Sequence, residues 1–440
     1  MKTRALSLAV LAALAGCEFD LVNPNSPDPI GNNPARNEVA AAATGLLIGS
    51  ESDAADLALD LGILGREAYR FDGSDPRFTG ELLTGGLDAG SGAFGGDHWS
   101  EQYRTIRSAN NLLAVIGTAS ALTPAEQNAV SGFARTIKAL NFLLVVSSHT
   151  EDSIPIAVES DPTAAPAPFV TNAEAFAYIV ALLDSAQVDL QAGGATFPFA
   201  LSDGFNGFSD PVNFLKVNRA LRARTDVYMG NYASALTALA ASFIDTSATA
   251  DLNAGAYHSF GTGPKELANA LFQNPQAGEN FAHPSLETDA ELQPGGALDQ
   301  RFLDKTTPRT STTVDGLTSA LGWIRYSSPS APIPIIRNEE LILLRAEANV
   351  GLTQLAAATD DINYIRVHSG KLAPIAVPGS QGAALDALLY EKRYSLLYEG
   401  GHRWIDLRRY GLLSQLPLDR AGDVAYPTYP VPRDEVLARE

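Results

Sequence analysis

Apolar residues recur at three- and four-residue intervals along much of this chain, the spacing of one side of an α-helix. Over residues 123–146 the stripe runs Val130, Phe133, Ile137, Leu140, Leu144. The same segment opens like a capping box, with Thr123 to cap, Pro124 at the first helical position and Glu126 three residues after the cap. Together with residues 100–116 it predicts a helical pair. Residues 37–64, rich in Ala and Leu, predict a further helical stretch. A second pair is predicted over 213–243. Its middle, Tyr228-Met229-Gly230-Asn231-Tyr232-Ala233-Ser234-Ala235-Leu236, has the shape of a tetratricopeptide turn: Gly230 lets the first helix end and the small Ala235 lets the second approach closely. That design returns at 339–350 and 354–367, with Gly351 between them and Ala356 in the place of Ala235.

Two stretches break the periodicity. Residues 72–96 are crowded with Gly and Asp and predict a loop. Residues 245–326 are rich in Gly, Pro, Asn and Thr and predict a long irregular excursion with a few short strands, the kind of segment that carries binding groups on a rigid scaffold. The expected fold class is therefore mainly α: tetratricopeptide-like helical pairs form a scaffold over 37–243 and 332–440, with a loop-rich, ligand-side excursion over 244–331. All of it is expected to belong to one domain, 37–440.

Ahead of that body, Lys2 and Arg4 precede an apolar run over 5–15 that only Ser7 interrupts. A bilayer span needs ~20 apolar residues, so this run reads as a signal peptide covering 1–16. Leu14-Ala15-Gly16-Cys17 has the form of a bacterial lipobox, and Cys17 is the only cysteine in the chain. Lipid attachment is expected there, because several acyl chains on one residue hold a protein to a membrane without a transmembrane helix. Pro24, Pro27 and Pro29 then prevent a helix, so 17–36 is expected to be a flexible tether.

Charge narrows the partners. The 440 residues carry 31 Lys and Arg against 50 Asp and Glu, a formal net charge of −19 with no basic run. Nucleic acid is excluded as a partner class, since binding it relies on basic side chains displacing counterions. Six scattered histidines have no metal spacing, and neither a His-Glu-x-x-His helix nor a Gly-x-Ser-x-Gly elbow occurs. Gly90-Ser91-Gly92-Ala93-Phe94-Gly95 fits a dinucleotide fingerprint by letter but follows no predicted strand. No catalytic residue, no metal and no cofactor is expected.

The C-terminal third carries the densest pattern. Pro332-Ile333-Pro334-Ile335-Ile336-Arg337-Asn338-Glu339 leads into Arg345-Ala346-Glu347-Ala348, then Glu391-Lys392-Arg393, Glu399-Gly400-Gly401-His402-Arg403-Trp404-Ile405-Asp406-Leu407-Arg408-Arg409 and Tyr429-Pro430-Val431-Pro432. Taken together this strongly resembles the SusD/RagB family, with Trp99, Tyr103, Ile106, Asn110, Asp299 and Arg301 as weaker matches upstream. Lys392 departs from the pattern by separating a Glu-Arg pair that is adjacent in the family. The resemblance implies a non-enzymatic outer-membrane lipoprotein at the cell surface. Such a protein captures a nutrient, an oligo- or polysaccharide above all, for a TonB-dependent, SusC-like β-barrel transporter.

Charges set among Leu, Tyr and Trp must be paired where they are buried. Glu391, Arg393, Glu399, Arg403, Asp406 and Arg408 are therefore expected to form a structural ion-pair lock. Sugar contacts call for aromatic faces beside polar groups, a composition found at Asp72, Asp75, Arg77 and Phe78 and at Trp323 and Tyr326. Two other functions fit parts of the pattern. A helical-repeat scaffold would bind other envelope proteins and no glycan, and a glycoside hydrolase would need two carboxylates ~5–9.5 Å apart across a cleft.

Overall fold

The computed structural model describes residues 30–90, 94–149, 154–158 and 164–440. The signal peptide, Cys17, most of the tether and the centre of the 90–95 glycine motif lie outside the described residues. In chain order the helices are α1 (Arg36–Glu51), α2 (Ala54–Leu64), the short α3 (Glu81–Thr84), α4 (Gly95–Val115), α5 (Pro124–Ser148), α6 (Asn172–Gln191), α7 (Pro211–Tyr228) and α8 (Tyr232–Ala240). They continue with the short α9 (Ser285–Thr288) and α10 (Gln300–Lys305), then α11 (Asn338–Gly351), α12 (Leu355–His368), α13 (Gln381–Ser395), α14 (His402–Arg409) and α15 (Arg433–Leu437).

The body is mainly α, as the periodicity predicts. Helix α5 opens with the expected box: Thr123 Oγ1 accepts from the Glu126 N–H at 3.2 Å and Glu126 Oε2 accepts from the Thr123 N–H at 2.8 Å. Helix α6 is not among the predicted elements, although Thr171 and Glu174 form the same box in front of it. Helices α4 to α8 pack in succession, α1 lies on α4, and α11 packs on α8 before α12 and α13 close over it.

The predicted tetratricopeptide turn is present. Gly230 sits at φ 74° and Ala235 is fully buried. Its second copy is shifted by two residues. There the left-handed position falls on Thr353, φ 58°, and the buried small residue is Ala358, while Ala356 is exposed. Three alanines in a row, 356 to 358, made the register ambiguous by composition, and packing against α11 selected the third.

Strands are more extensive than expected within 244–331. β1 (Ala68–Arg70), β5 (Asn280–Ala282), β7 (Leu317–Trp323) and β6 (Thr306–Val314) form an antiparallel sheet in that order. The β6–β7 hairpin turns on Asp315-Gly316, both at positive φ (52° and 80°), the backbone that Asp-Gly favours. Short pairs β2 (Ile154–Pro155) with β3 (Phe169–Val170), and β4 (Gly255–His258) with β8 (Ile333–Arg337), complete the described sheets.

Apolar side chains gather in three clusters. One lies among α1 and α4 to α8 around Trp99, Phe133, Phe142 and Phe214. A second joins α2, the four-stranded sheet and the last helices around Trp323, Tyr398 and Trp404. A smaller third fills the space among α11, α12 and α13. The second matters most here, because it carries the loops on one side and the charge network on the other.

Candidate ligand-binding face

The loop that leaves β1 is built from its own carboxylates. Asp72 Oδ1 accepts from the Ser74 hydroxyl at 2.6 Å, the Ser74 N–H at 2.8 Å and the Asp75 N–H at 3.2 Å, and Arg70 donates to Oδ2 at 2.9 Å. The Ser74 hydrogen bonds and then Arg70 hold its carboxyl far below the usual carboxylate range. Asp75 caps the short turn at Pro76–Phe78 and grips Arg77 in a two-pronged pair at 2.8 and 2.7 Å, which lowers its pKa as well. Phe78 meets the edge of Phe94 with ring centres 5.2 Å apart, and the Arg70 guanidinium covers its face at 4.5 Å.

A second loop adjoins this one through Arg70, which also reaches Glu279 at 3.4 Å. Behind it Arg309 lies 3.6 Å over the Phe281 ring and donates to the Gly278 carbonyl at 3.0 Å. The result is an edge of preset carboxylates and guanidiniums, with the Arg77 and Glu279 side chains about half exposed (46% and 47%). Such groups offer sugar hydroxyls donors and acceptors whose geometry is already paid in folding. Arg70, Glu279 and Arg309 were not singled out in the sequence, where nothing local marks their approach to 72–78.

Trp323 and Tyr326 are not part of this face. Both are buried, 5% and 4% exposed. The Trp323 ring stacks on Tyr398 at 4.2 Å, and the Tyr326 hydroxyl donates to the Tyr398 carbonyl at 3.0 Å. The expectation that they touch a ligand is corrected: β7 alternates, and the register of its pairing with β5 and β6 turns Trp323 into the core.

Charges near the tail do form a buried network, wired differently from the expectation. Glu391 is fully buried and held between Arg301 at 2.6 Å and Arg366 at 2.7 Å. Glu399 faces Arg337 at 2.8 Å, Arg325 at 3.0 Å and Lys305 at 3.2 Å. Burial pushes Glu399 up, but those three cations outweigh it and hold it well below its ordinary range. Asp406 pairs with Lys392 at 2.7 Å and Arg409 at 2.9 Å, and the same two cations bind Glu347. Lys392, the departure from the family pattern, is thus a buried link between α11 and α14.

The three arginines assigned to the lock behave otherwise. Arg393 pairs outward with the half-exposed Asp289 at 2.8 Å. Arg408 donates to the Ser147 carbonyl at 2.6 Å and lies 4.5 Å over the Trp404 ring. Arg403 makes no salt bridge among the described residues and donates to the Arg66 carbonyl at 3.4 Å. The lock's cations come instead from Arg301, Lys305, Arg325, Arg337, Arg366, Lys392 and Arg409. Arg301, Arg337, Lys392 and Arg409 stand in the motifs that carry the resemblance, and Arg337 also follows the apolar Ile335-Ile336, whereas nothing local marks Lys305 or Arg325.

Glu67 is the carboxyl this network leaves out. It is 1% exposed, its Oε1 has no hydrogen-bond partner among the described residues, and burial raises its pKa to about 7. Because the folded value lies above the unfolded one, the folded state holds the extra proton between roughly pH 4.5 and 7, and stability falls as pH rises through that window. Glu67→Gln is expected to flatten this part of the stability–pH curve, as read by urea unfolding at pH 5, 6, 7 and 8. An unchanged slope would show that Glu67 is ionised in the native state throughout.

Residues 305–432 match the family model described as the SusD family. No curated protein matches the sequence. Among solved structures, a SusD-like carbohydrate binding protein from Bacteroides fragilis superposes with a TM-score of 0.73 at 16% identity, covering 92% of this chain and 98% of its own. A SusD superfamily protein from Bacteroides vulgatus gives 0.69 at 15% identity, with 93% and 98% covered. A laminarin binding SusD-like protein gives 0.65 at 16% identity, also with 93% and 98% covered. The buried charge network of α10 to α14 lies in or beside the segment that matches the SusD family model, and the chain as a whole shares the helical fold of these SusD-superfamily structures.

Proposed function

We propose that this chain is a cell-surface lipoprotein that binds an oligo- or polysaccharide through its 70–80 and 273–281 loops and delivers it to a TonB-dependent outer-membrane transporter. The observation that carries the binding step is the exposed edge of Asp75, Arg77 and Glu279, preset by hydrogen bonds within the loops and anchored on a rigid sheet and helix core. Two of the similar structures are carbohydrate- or laminarin-binding proteins, which supports a glycan as the cargo class. The lipobox at Cys17 and the tether behind it support attachment to the outer membrane. Capture and hand-over need no covalent step, so the protein's contribution is affinity and orientation.

Affinity electrophoresis and calorimetry against a panel of neutral glycans test this. At least one glycan is expected to bind, and Arg77→Ala is expected to weaken it by at least tenfold, the effect of losing a hydrogen bond from a charged group worth ~1.5–3 kcal/mol. Binding to no glycan, with capture of envelope proteins instead, would establish the helical-scaffold alternative.

A further inference from the structure

A cleft of about 440 Å³ opens between α13, α14 and the residue that follows α9, lined by none of the 70–80 loop residues. Its volume falls in the ~300–1,000 Å³ range of small-molecule sites. Arg393 and Arg403 line it together with Asp289, Asp386, Tyr390 and Gln415. Two guanidiniums share this space, and among the described residues only Arg393 has a carboxylate within salt-bridge distance. Arg393 is paired with Asp289 at 2.8 Å and donates to the Ser285 hydroxyl at 2.8 Å. Arg403 has no acidic partner within salt-bridge distance among the described residues, only the Arg66 carbonyl at 3.4 Å.

The other carboxylates nearby do not neutralise it. Asp406 is taken by Lys392 and Arg409. Glu67 attracts Arg403 without a salt bridge, and burial raises its pKa to about 7, so it carries only part of a charge near neutral pH. Burial and the neighbouring Arg393 lower the Arg403 pKa to about 9, the direction expected of a cation lacking its counter-ion. In a chain whose net charge is −19, a partly buried guanidinium left in this state is unusual chemistry for a mere structural post.

We propose that this cleft binds a carboxylate-bearing sugar unit, a hexuronate or similar acidic residue, with the carboxylate on Arg403 and Arg393 and the hydroxyls at Asp386 and Gln415. Guanidinium forks match carboxylates in two-pronged pairs, which gives the anion both affinity and direction. Asp386 and Gln415 are exposed at the rim, where acceptor and donor groups can meet ring hydroxyls. Asp289 pairs with Arg393 and attracts Arg403 from farther off, without a salt bridge to it. This site goes beyond the loop face and stands whether or not that face binds neutral glycans.

Calorimetry on the full chain with glucuronate, galacturonate, glucose, acetate and a dipeptide with a free C-terminus tests it. One uronate is expected to bind at least tenfold tighter than glucose, acetate or the dipeptide. Arg403→Gln is expected to abolish that preference. Gln415→Glu changes only an exposed rim residue, so it keeps the fold while placing a negative charge beside the carboxylate, and it is expected to weaken uronate binding at least tenfold. Equal binding of uronate and glucose, acetate or dipeptide binding as tight as uronate, or full uronate affinity in Gln415→Glu would each overturn the proposal. Failure here with a neutral glycan still bound would refute the cleft and leave the loop face intact.

Discussion

Glu399→Ala is expected to remove about 3–5 kcal/mol of folding stability, the usual cost of taking one partner from a buried ion pair. Its carboxylate is 4% exposed and faces three cations that reach it from three places in the chain: Lys305 at the end of α10, Arg325 after β7 and Arg337 at the end of β8. Alanine would take from Lys305 and Arg325 their salt-bridge partner among the described residues and leave Arg337 with Glu339 alone. Urea unfolding at pH 7 should show a lower midpoint with little change in slope. The acid limb adds a second readout. Glu399 has a depressed folded pKa, so its contribution is present above the ordinary glutamate range and is lost as pH falls below it. The variant should therefore lose less stability than the parent on going from pH 5 to pH 3. A midpoint unchanged at pH 7 would refute the central place given to Glu399.

Gly401→Ala is the second large expected loss, about 3 kcal/mol. Gly401 sits at φ 74°, where a side chain costs roughly 1–2 kcal/mol. A Cβ there would stand 2.2 Å from the Cβ of Leu61 on α2, and overpacking of this kind costs ~1–3 kcal/mol. Neither atom is at the far end of a flexible side chain, so the two helices would have to part. Asparagine tolerates positive φ but carries the same Cβ. Equal losses for Gly401→Ala and Gly401→Asn in thermal unfolding would assign the effect to the contact with Leu61; a loss below 1 kcal/mol in both would mean that α14 and α2 separate easily.

The two variants also mark the limit of what was legible beforehand. Glu399, Gly401 and Trp404 stood out as a motif, and the mixture of charge with apolar residues required burial and pairing. The partners did not follow from it. Lys392, Arg393, Arg403 and Arg408 all lie within nine positions of Glu399, yet the pairs to Glu399 come from Lys305, 94 residues away, and from Arg325 and Arg337. The ligand face was half legible in the same sense. The 72–78 loop is a local object, made of an Asp, a Ser, a Pro and an Arg within hydrogen-bond reach of one another, whereas Glu279 reaches it only because β5 pairs with β1.

By itself the sequence determined what depends on residues within about four positions: helical periodicity, the capping boxes before α5 and α6, the turn at Gly230, and the Asp72 and Asp75 turns. It also determined that charges within apolar runs had to find partners, because an unpaired buried charge is too costly to keep. Tertiary structure alone decided which partners they found, that Trp323 and Tyr326 face inward, that Ala358 and not Ala356 packs against α11, and that Arg403 makes no salt bridge among the described residues. Each of these is a contact between segments whose approach is set by the simultaneous packing of several helices and a sheet, and no spacing along the chain encodes a distance between residues such as Glu67 and Tyr398, 331 positions apart.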